Sequence, residues 1–150
     1  MEKQPWVRFL IPPETFFIKT LTFESNFHLL LTDLKDIWEA KLNEEQLRHT
    51  SARLNTRFEM DLDHIQKTLN ECTQVQVEKA KYSLEKWNDD DLVVFRFQVP
   101  YFNFQYYWEF HCRRAEHSLL YQHVTRPLLL TSWNLERKIV HLKVRQSADG

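Results

Sequence analysis

The sequence predicts an α+β fold in which antiparallel strands enclose an inserted group of helices and a long helix ends the chain. Three patterns carry this prediction: apolar residues alternate strictly from 102 to 112, recur at helical spacing between 34 and 72, and return to a helical period from 115 to about 144. The chain has 150 residues, of which 43% are hydrophobic and 14% aromatic, so it is able to bury a core of its own.

The N-terminal third is expected to form short strands. A first strand is predicted over 7–11, where apolar residues alternate until the prolines at 12 and 13 end the run. Two further strands are predicted over 15–23 and 26–31, on either side of a turn-forming stretch.

A helical insertion is then predicted over residues 33–72. Its first helix is indicated by an apolar stripe at i, i+3, i+4 and i+8, formed by Leu34, Ile37, Trp38 and Leu42. Asn43 followed by Gln46 is a capping-box pattern, which predicts the start of a second helix. A third short helix is predicted from Asp63, since Ile65, Leu69 and Cys72 align on one face.

Strands are expected to resume at Thr73, with a change of apolar parity near Glu78 that predicts a bulge. A strand over 93–99 and a turn over 100–103 lead to the clearest pattern in the chain. This last strand is predicted to bury one face, formed by Phe102, Phe104, Tyr106, Trp108, Phe110 and Cys112.

The C-terminal segment is predicted to be a stalk helix that forms a parallel coiled-coil dimer. Its short heptad seam consists of Leu128, Leu135, Ile139 and Leu142. Pro127 is expected to kink this helix or to start it anew. The predicted domains are therefore a head over 1–114 and a stalk over 115–150, and we expect the stalk to be truncated because two heptads are short for a dimerising helix.

Composition argues against several functions. With a formal net charge of −1, the whole molecule is not suited to coating nucleic acid, although bases outnumber acids between 113 and 145. Weak, salt-dependent DNA contact is therefore expected only from the basic residues Arg113, Arg114, Arg137, Lys138 and Lys143. The single glycine, Gly150, leaves no glycine-rich phosphate loop.

Other chemical sites are not indicated. The two cysteines and seven histidines show no metal-ligand spacing, and the acids at 89–91 are expected to form a solvated turn. Strand parity directs His111 and Cys112 to opposite faces, so they do not form a base and nucleophile pair. We expect no cofactor, metal or catalytic residue, and neither a signal peptide nor a membrane span, which favours a reducing intracellular compartment.

From the last strand onward the sequence resembles the XLF/Cernunnos family. The resemblance is carried by YWEFHC at 107–112, SL at 118–119, QH at 122–123 and RPL at 126–128. Further matches in the same order are QPW at 4–6, LLTDL at 30–34 and, more weakly, LNTR at 54–57. The middle of the chain, about 61–91, matches only in pattern.

The resemblance implies a seven-stranded antiparallel β-sandwich head with an inserted helix pair, followed by a parallel dimeric coiled coil. It also implies a nuclear, non-enzymatic homodimer that acts in DNA double-strand-break repair by non-homologous end joining. Such a factor binds head-to-head to the paralogous scaffold that holds DNA ligase IV, and so bridges DNA ends. The family's contacts with the Ku heterodimer and DNA use a basic C-terminal tail, which is not found within these 150 residues.

Carried over residue by residue, the family's head contact falls on Phe104, Tyr106, Arg57 and Phe58. Phe104 replaces the family's usual leucine, and a bulkier side chain requires a larger socket in the partner. The parity of Phe104 is equally compatible with core packing.

Three alternatives stay open at this point. A centriolar or paralogous assembly protein would share the same head and stalk. A cysteine hydrolase that uses Cys112 is an alternative of another class. In the third alternative, exposed aromatic residues such as Tyr101, Tyr107 and Trp133 would stack on single-stranded nucleic acid.

Overall fold

The computed structural model describes residues 6–23 and 26–130 and places seven antiparallel strands in one sheet. The strands are β1 (Val7–Ile11), β2 (Glu14–Phe23), β3 (Asn26–Thr32), β4 (Ile37–Leu42), β5 (Lys81–Trp87), β6 (Leu92–Tyr101) and β7 (Phe104–Arg114). The helices are α1 (Glu44–Leu54), α2 (Leu62–Gln74) and α3 (His117–Leu120). The sheet order is β1-β2-β3-β4-β7-β6-β5, so the predicted α+β head with seven antiparallel strands and an inserted helix pair is confirmed.

The sheet curls until its two edge strands face each other, which makes the head nearly a barrel. The ring of Phe9 in β1 packs edge-on against Tyr82 in β5, with 5.1 Å between the ring centroids. The side-chain amide of Gln76 donates to the carbonyl of Leu10 at 2.8 Å and accepts from its N–H at 2.9 Å. Gln76 thus satisfies backbone groups that the edge strand β1 would otherwise leave unpaired.

The predicted helix over 34–42 is wrong, because residues Ile37–Leu42 form strand β4. Ile37 and Trp38 are neighbours in sequence and are both fully buried, which means that β4 is covered on both faces. A strand buried on both faces does not alternate, and its apolar residues can fall at helical spacing by coincidence. Leu34, the first residue of the predicted stripe, lies in the turn before β4 with a left-handed φ of 77°.

Both inserted helices begin where side chains cap them. Asn43 accepts from the N–H of Gln46 at 2.8 Å, and the Gln46 side chain accepts from the N–H of Asn43 at 2.9 Å, which confirms the capping box. In α2, Asp61 caps the N-terminus, and the predicted inner residues are buried: Ile65, Leu69 and Cys72. The prediction that strands resume at Thr73 with a bulge near Glu78 is wrong, because α2 extends to Gln74 and β5 begins only at Lys81. The chain between them is a loop closed by a hydrogen bond from Ala80 N–H to the Val77 carbonyl.

The core lies on the concave side of the sheet, beneath the two helices. Its aromatic centre is Phe95 on β6, whose ring contacts Phe9, Tyr82, Phe97 and Phe110. Leu47 from α1 and Leu69 from α2 join the same buried cluster. The helix pair therefore covers a core that the strands supply.

The chain divides into two compact units, Met1–Ala115 and Glu116–Gly150. In the second unit α3 runs into a π-helical turn, Tyr121–Thr125, and Pro127 stands two residues beyond this turn. Within the described residues Leu128 is exposed, whereas the other predicted seam residues, Leu135, Ile139 and Leu142, lie outside them. No helix in the described part of the chain has both the length and the apolar character needed to cross a membrane.

Candidate partner-binding surface

The loop after α1 and the β6–β7 hairpin bring three of the predicted contact residues together. Phe58 lies in this loop, and its ring is 5.2 Å from that of Phe104 at the start of β7. Arg57, Phe58 and Phe104 also line one open pocket of about 480 Å³. We call the four residues Arg57, Phe58, Tyr101 and Phe104 the hairpin patch.

Tyr101, at the end of β6, completes this patch, although it was not predicted to belong to the head contact. Its ring stacks on Phe58 with 5.1 Å between centroids and 26° between the ring planes. Stacking of two aromatic rings adds to the stabilisation from burial alone. Tyr101 is the register partner of Phe104, a pairing that the turn predicted over 100–103 did not reveal.

Asn55 fixes the position of the loop. Its side-chain nitrogen donates to the carbonyl of Tyr107 at 2.9 Å, and its side-chain oxygen accepts from the N–H of Tyr107 at 2.9 Å. The nitrogen also donates to the carbonyl of Ser51 at 3.0 Å, within α1. Asn55 therefore acts as a short piece of neighbouring strand for β7, and it places the two residues that follow Thr56 beside the hairpin.

Asn55→Ala is expected to lower the free energy of unfolding by about 1–3 kcal/mol, because it leaves the partly buried backbone N–H and carbonyl of Tyr107 without these partners. Chemical denaturation of the 150-residue chain measures this change. Thr56→Ala, at the exposed next position, is the matched control and should change stability by less than about 0.5 kcal/mol. Equal stability of the two variants would contradict the role assigned to Asn55.

Tyr106 must be removed from the predicted direct contacts because its side chain is fully buried. Its hydroxyl donates to the Ser51 hydroxyl at 2.9 Å, and burial raises the pKa of Tyr106 to about 12. The ring of Tyr106 lies 6.2 Å from that of Phe58 and supports it from the inside. Tyr106 is therefore a core residue behind the hairpin patch.

Phe104 occupies the margin between core and solvent, with 40% of its residue surface exposed. Arg57 is exposed as well, and within the described residues it has no ion-pair partner. The patch thus combines exposed aromatic surface with an unpaired cation. Aromatic residues and arginine are the side chains most enriched in the energetically dominant parts of protein interfaces.

Phe102 departs from the prediction that it lies on the buried face of the last strand. It is one of the two residues that turn β6 into β7, and 87% of its surface is exposed. Strand parity does not apply to Phe102, because the strand begins only at Phe104. A turn over 100–103 was predicted from the sequence, and that turn is the signal that places Phe102 in solvent.

The structure gives less support to the predicted DNA contact and to a metal site. Of the predicted basic residues, Arg113 and Arg114 are exposed, and Arg114 contacts an Asp91 carboxylate oxygen at 3.7 Å and the Asp89 carbonyl at 3.1 Å. Arg137, Lys138 and Lys143 lie outside the described residues. Within those residues no cluster of three or more potential metal ligands is found.

Cys112 is fully buried, and burial raises the pKa of its thiol far above the usual range. A neutral, inaccessible thiol is unsuited to nucleophilic attack. His111 is exposed on the opposite face, as the strand parity predicted. This arrangement gives no support to the hydrolase alternative.

Comparison with solved structures defines the class of the fold: it is that of the globular heads of coiled-coil proteins. The head domain of human CCDC61 is similar with a TM-score of 0.62 and 8% identity, covering 74% of this chain and 99% of that one. The N-terminal coiled-coil dimer of C. elegans SAS-6 is similar with a TM-score of 0.61 and 10% identity, covering 83% and 77%. At such identities the likeness shows the fold alone.

The family follows from the sequence comparison. Residues 5–114 match the family model of the XLF N-terminal domain, so the chain belongs to the XLF family, which confirms the resemblance. Relatives named Non-homologous end-joining factor 1 match from Danio rerio, 24% identical over 142 residues, and from Mus musculus, 22% identical over 143 residues. These matches cover 89% and 93% of this chain but 45% and 48% of the relatives, so the chain spans about half their length.

Proposed function

We propose that this chain is a non-catalytic scaffold factor of DNA double-strand-break repair by non-homologous end joining. As a homodimer, it binds the head of the paralogous scaffold that carries DNA ligase IV, and this contact bridges DNA ends and promotes their ligation. In this proposal the chain acts in the nucleus. In the family, contacts with Ku and DNA use a basic tail, and no such tail lies within these 150 residues.

The observation that carries the proposal is the hairpin patch in a member of the XLF family. Arg57 and Phe58 follow α1, whereas Tyr101 and Phe104 lie more than 40 positions later. The ring centroid of Phe58 is nevertheless 5.1 Å from that of Tyr101 and 5.2 Å from that of Phe104. The patch exposes apolar surface at one end of the head, and the single cation among its members would select an acidic group on the partner.

The proposed contact requires neither a metal ion nor a cofactor. Its free energy comes from removing aromatic surface from water and from placing Arg57 opposite an anion, which raises specificity more than affinity. Because Asn55 fixes the loop against β7 and the ring of Tyr106 packs against that of Phe58, the patch is ordered before a partner arrives. Preorganisation of this kind lowers the entropy lost on binding.

Phe104→Asp is expected to weaken binding to the ligase IV scaffold about 30-fold or more, because it places a charge at the centre of an apolar contact. Isothermal titration calorimetry with the scaffold from the same organism measures the dissociation constant. Trp87→Asp is the matched control, since Trp87 is similarly exposed at the far end of β5, and it should bind as the unchanged chain does. Circular dichroism should show that both variants remain folded.

A folded, unchanged chain that does not bind the ligase IV scaffold would refute the proposal. Titration against centriolar heads then tests the assembly-protein alternative, which shares the fold. Binding that persists in Phe104→Asp would instead show that the head contact lies away from the hairpin patch.

A further inference from the structure

The tip of the β6–β7 hairpin holds an aromatic residue in a backbone conformation that this residue type disfavours. Tyr101 and Phe104 face each other in the strand register, so Phe102 and Asn103 alone make the turn. Phe102 has a φ of 54°, in the left-handed region where glycine and asparagine are favoured and a bulky side chain is an outlier. Residues in such conformations cluster at functional sites, where the surrounding structure holds them.

Exposure argues in the same direction. Phe102 leaves 87% of its surface in solvent, more than any other large apolar residue described. Neither the fold nor solubility benefits from an exposed phenyl ring at a turn, where a polar residue would serve better. Two independent features, conformation and exposure, therefore disfavour phenylalanine at this position.

The ring is nevertheless held in place. Tyr101 contacts it edge-on, with 4.8 Å between centroids and 80° between the ring planes. Tyr101 in turn stacks on Phe58, and Phe58 contacts Phe104. Phe102 is thus the outermost member of a continuous row of rings that includes the whole aromatic part of the hairpin patch.

We propose that Phe102 is the specificity-determining anchor of the head contact, inserting its ring into an apolar socket on the partner's head. This inference rests on the proposed function and extends it. The partner must offer a cavity that accepts a phenyl ring at the hairpin tip, beside the surface that covers Phe104. A protein head is favoured over nucleic acid as the occupant, because Arg57 is the single cation among the residues that line the neighbouring pocket.

The chain offers a matched control in Leu34. Leu34 is also an apolar residue in the left-handed region, with a φ of 77° and 52% of its surface exposed. It lies in the turn that precedes β4, and β4 pairs with the C-terminal end of β7, at Arg114. Leu34 is therefore at the opposite end of β7 from the hairpin tip.

The test compares Phe102→Asn with Leu34→Asn in the 150-residue chain, using the same ligase IV scaffold titration. Asparagine tolerates the left-handed region, so both variants should keep or raise the melting temperature. We expect Phe102→Asn to weaken binding about 30-fold and Leu34→Asn to leave it unchanged. Weaker binding together with an unchanged or higher melting temperature identifies a contact residue.

The other outcomes are decisive against the anchor. If Phe104→Asp abolishes binding while Phe102→Asn binds normally, the anchor is refuted and the proposed function stands. If Phe102→Asn loses melting temperature and binding together, its role is structural and the anchor is refuted as well. An unchanged chain that does not bind the scaffold overturns both proposals.

Discussion

Phe95→Ala is expected to lower the free energy of unfolding of the head by about 3–5 kcal/mol, the usual range for removing a buried phenyl ring. Phe95 is fully buried, and its ring lies 5.9 Å from Phe9 on the edge strand β1 and 6.2 Å from Phe110 on β7. Truncation leaves a cavity between the two sides of the curled sheet, which rigid strands refill poorly. Since small domains are stable by only about 5–15 kcal/mol, the variant should be marginally folded.

Urea denaturation followed by tryptophan fluorescence measures this loss. Tyr107→Ala is the control, because Tyr107 is a large aromatic residue in the same sheet with its side chain exposed, and it should lose less than about 1 kcal/mol. A similar loss in both variants would mean that Phe95 does not join the two sides of the sheet.

Local patterns were sufficient for the elements whose stability is local or whose burial is one-sided. The capping box of α1 needs only Asn43 and Gln46, which are three residues apart. The last strand was predicted because most of it buries one face only, so the alternation of residues reports burial directly. The start of a helix and the buried face of such a strand can therefore be predicted from neighbouring residues alone.

Strand β4 could not be predicted in this way. It lies inside the sheet with both faces covered, so Ile37 and Trp38 are buried side by side and the alternation disappears. Its identity as a strand depends on pairing with β3, for example Trp38 with Leu31, and that pairing is a tertiary fact. The same holds for Gln76, whose amide completes the edge of β1 from 66 positions away.

The candidate site was predictable in part. The family resemblance indicated Arg57, Phe58 and Phe104, and the structure brings these together at the hairpin patch. It also indicated Tyr106, which shares the parity of Phe104 but is buried. Parity gives the face on which a residue lies, but not how far along the strand the core begins, and β7 enters the core between these two residues.

Asn55 and Phe102 show a second reason for incomplete prediction. Asn55 acts through two hydrogen bonds to the backbone of Tyr107, and a backbone partner leaves no pattern in the sequence. Phe102 is conspicuous because of its φ, which a phenylalanine in a sequence does not reveal. Residues that act through geometry therefore become visible only in the folded chain.

Leu135→Asp is expected to convert the proposed homodimer into a folded monomer. Leu135 is central in the predicted seam, with Leu128 and Leu142 seven positions to either side, and burying an unpaired carboxylate between two helices is strongly unfavourable. The head, Met1–Ala115, is a compact unit with its own core, so it should keep its melting temperature. Light scattering should then give the mass of one chain, 18.4 kDa.

Arg137→Asp is the control for this variant, because residue 137 is two positions from Leu135 and so on another face of a helix. It introduces the same side chain and should leave the dimer intact. A dimer that persists in Leu135→Asp would place the dimer interface outside the predicted seam.

If the seam is right, the monomer should still bind one ligase IV scaffold head with unchanged affinity, since the hairpin patch belongs to the first unit. It should fail to bridge two scaffolds, because bridging requires two heads joined through the stalk.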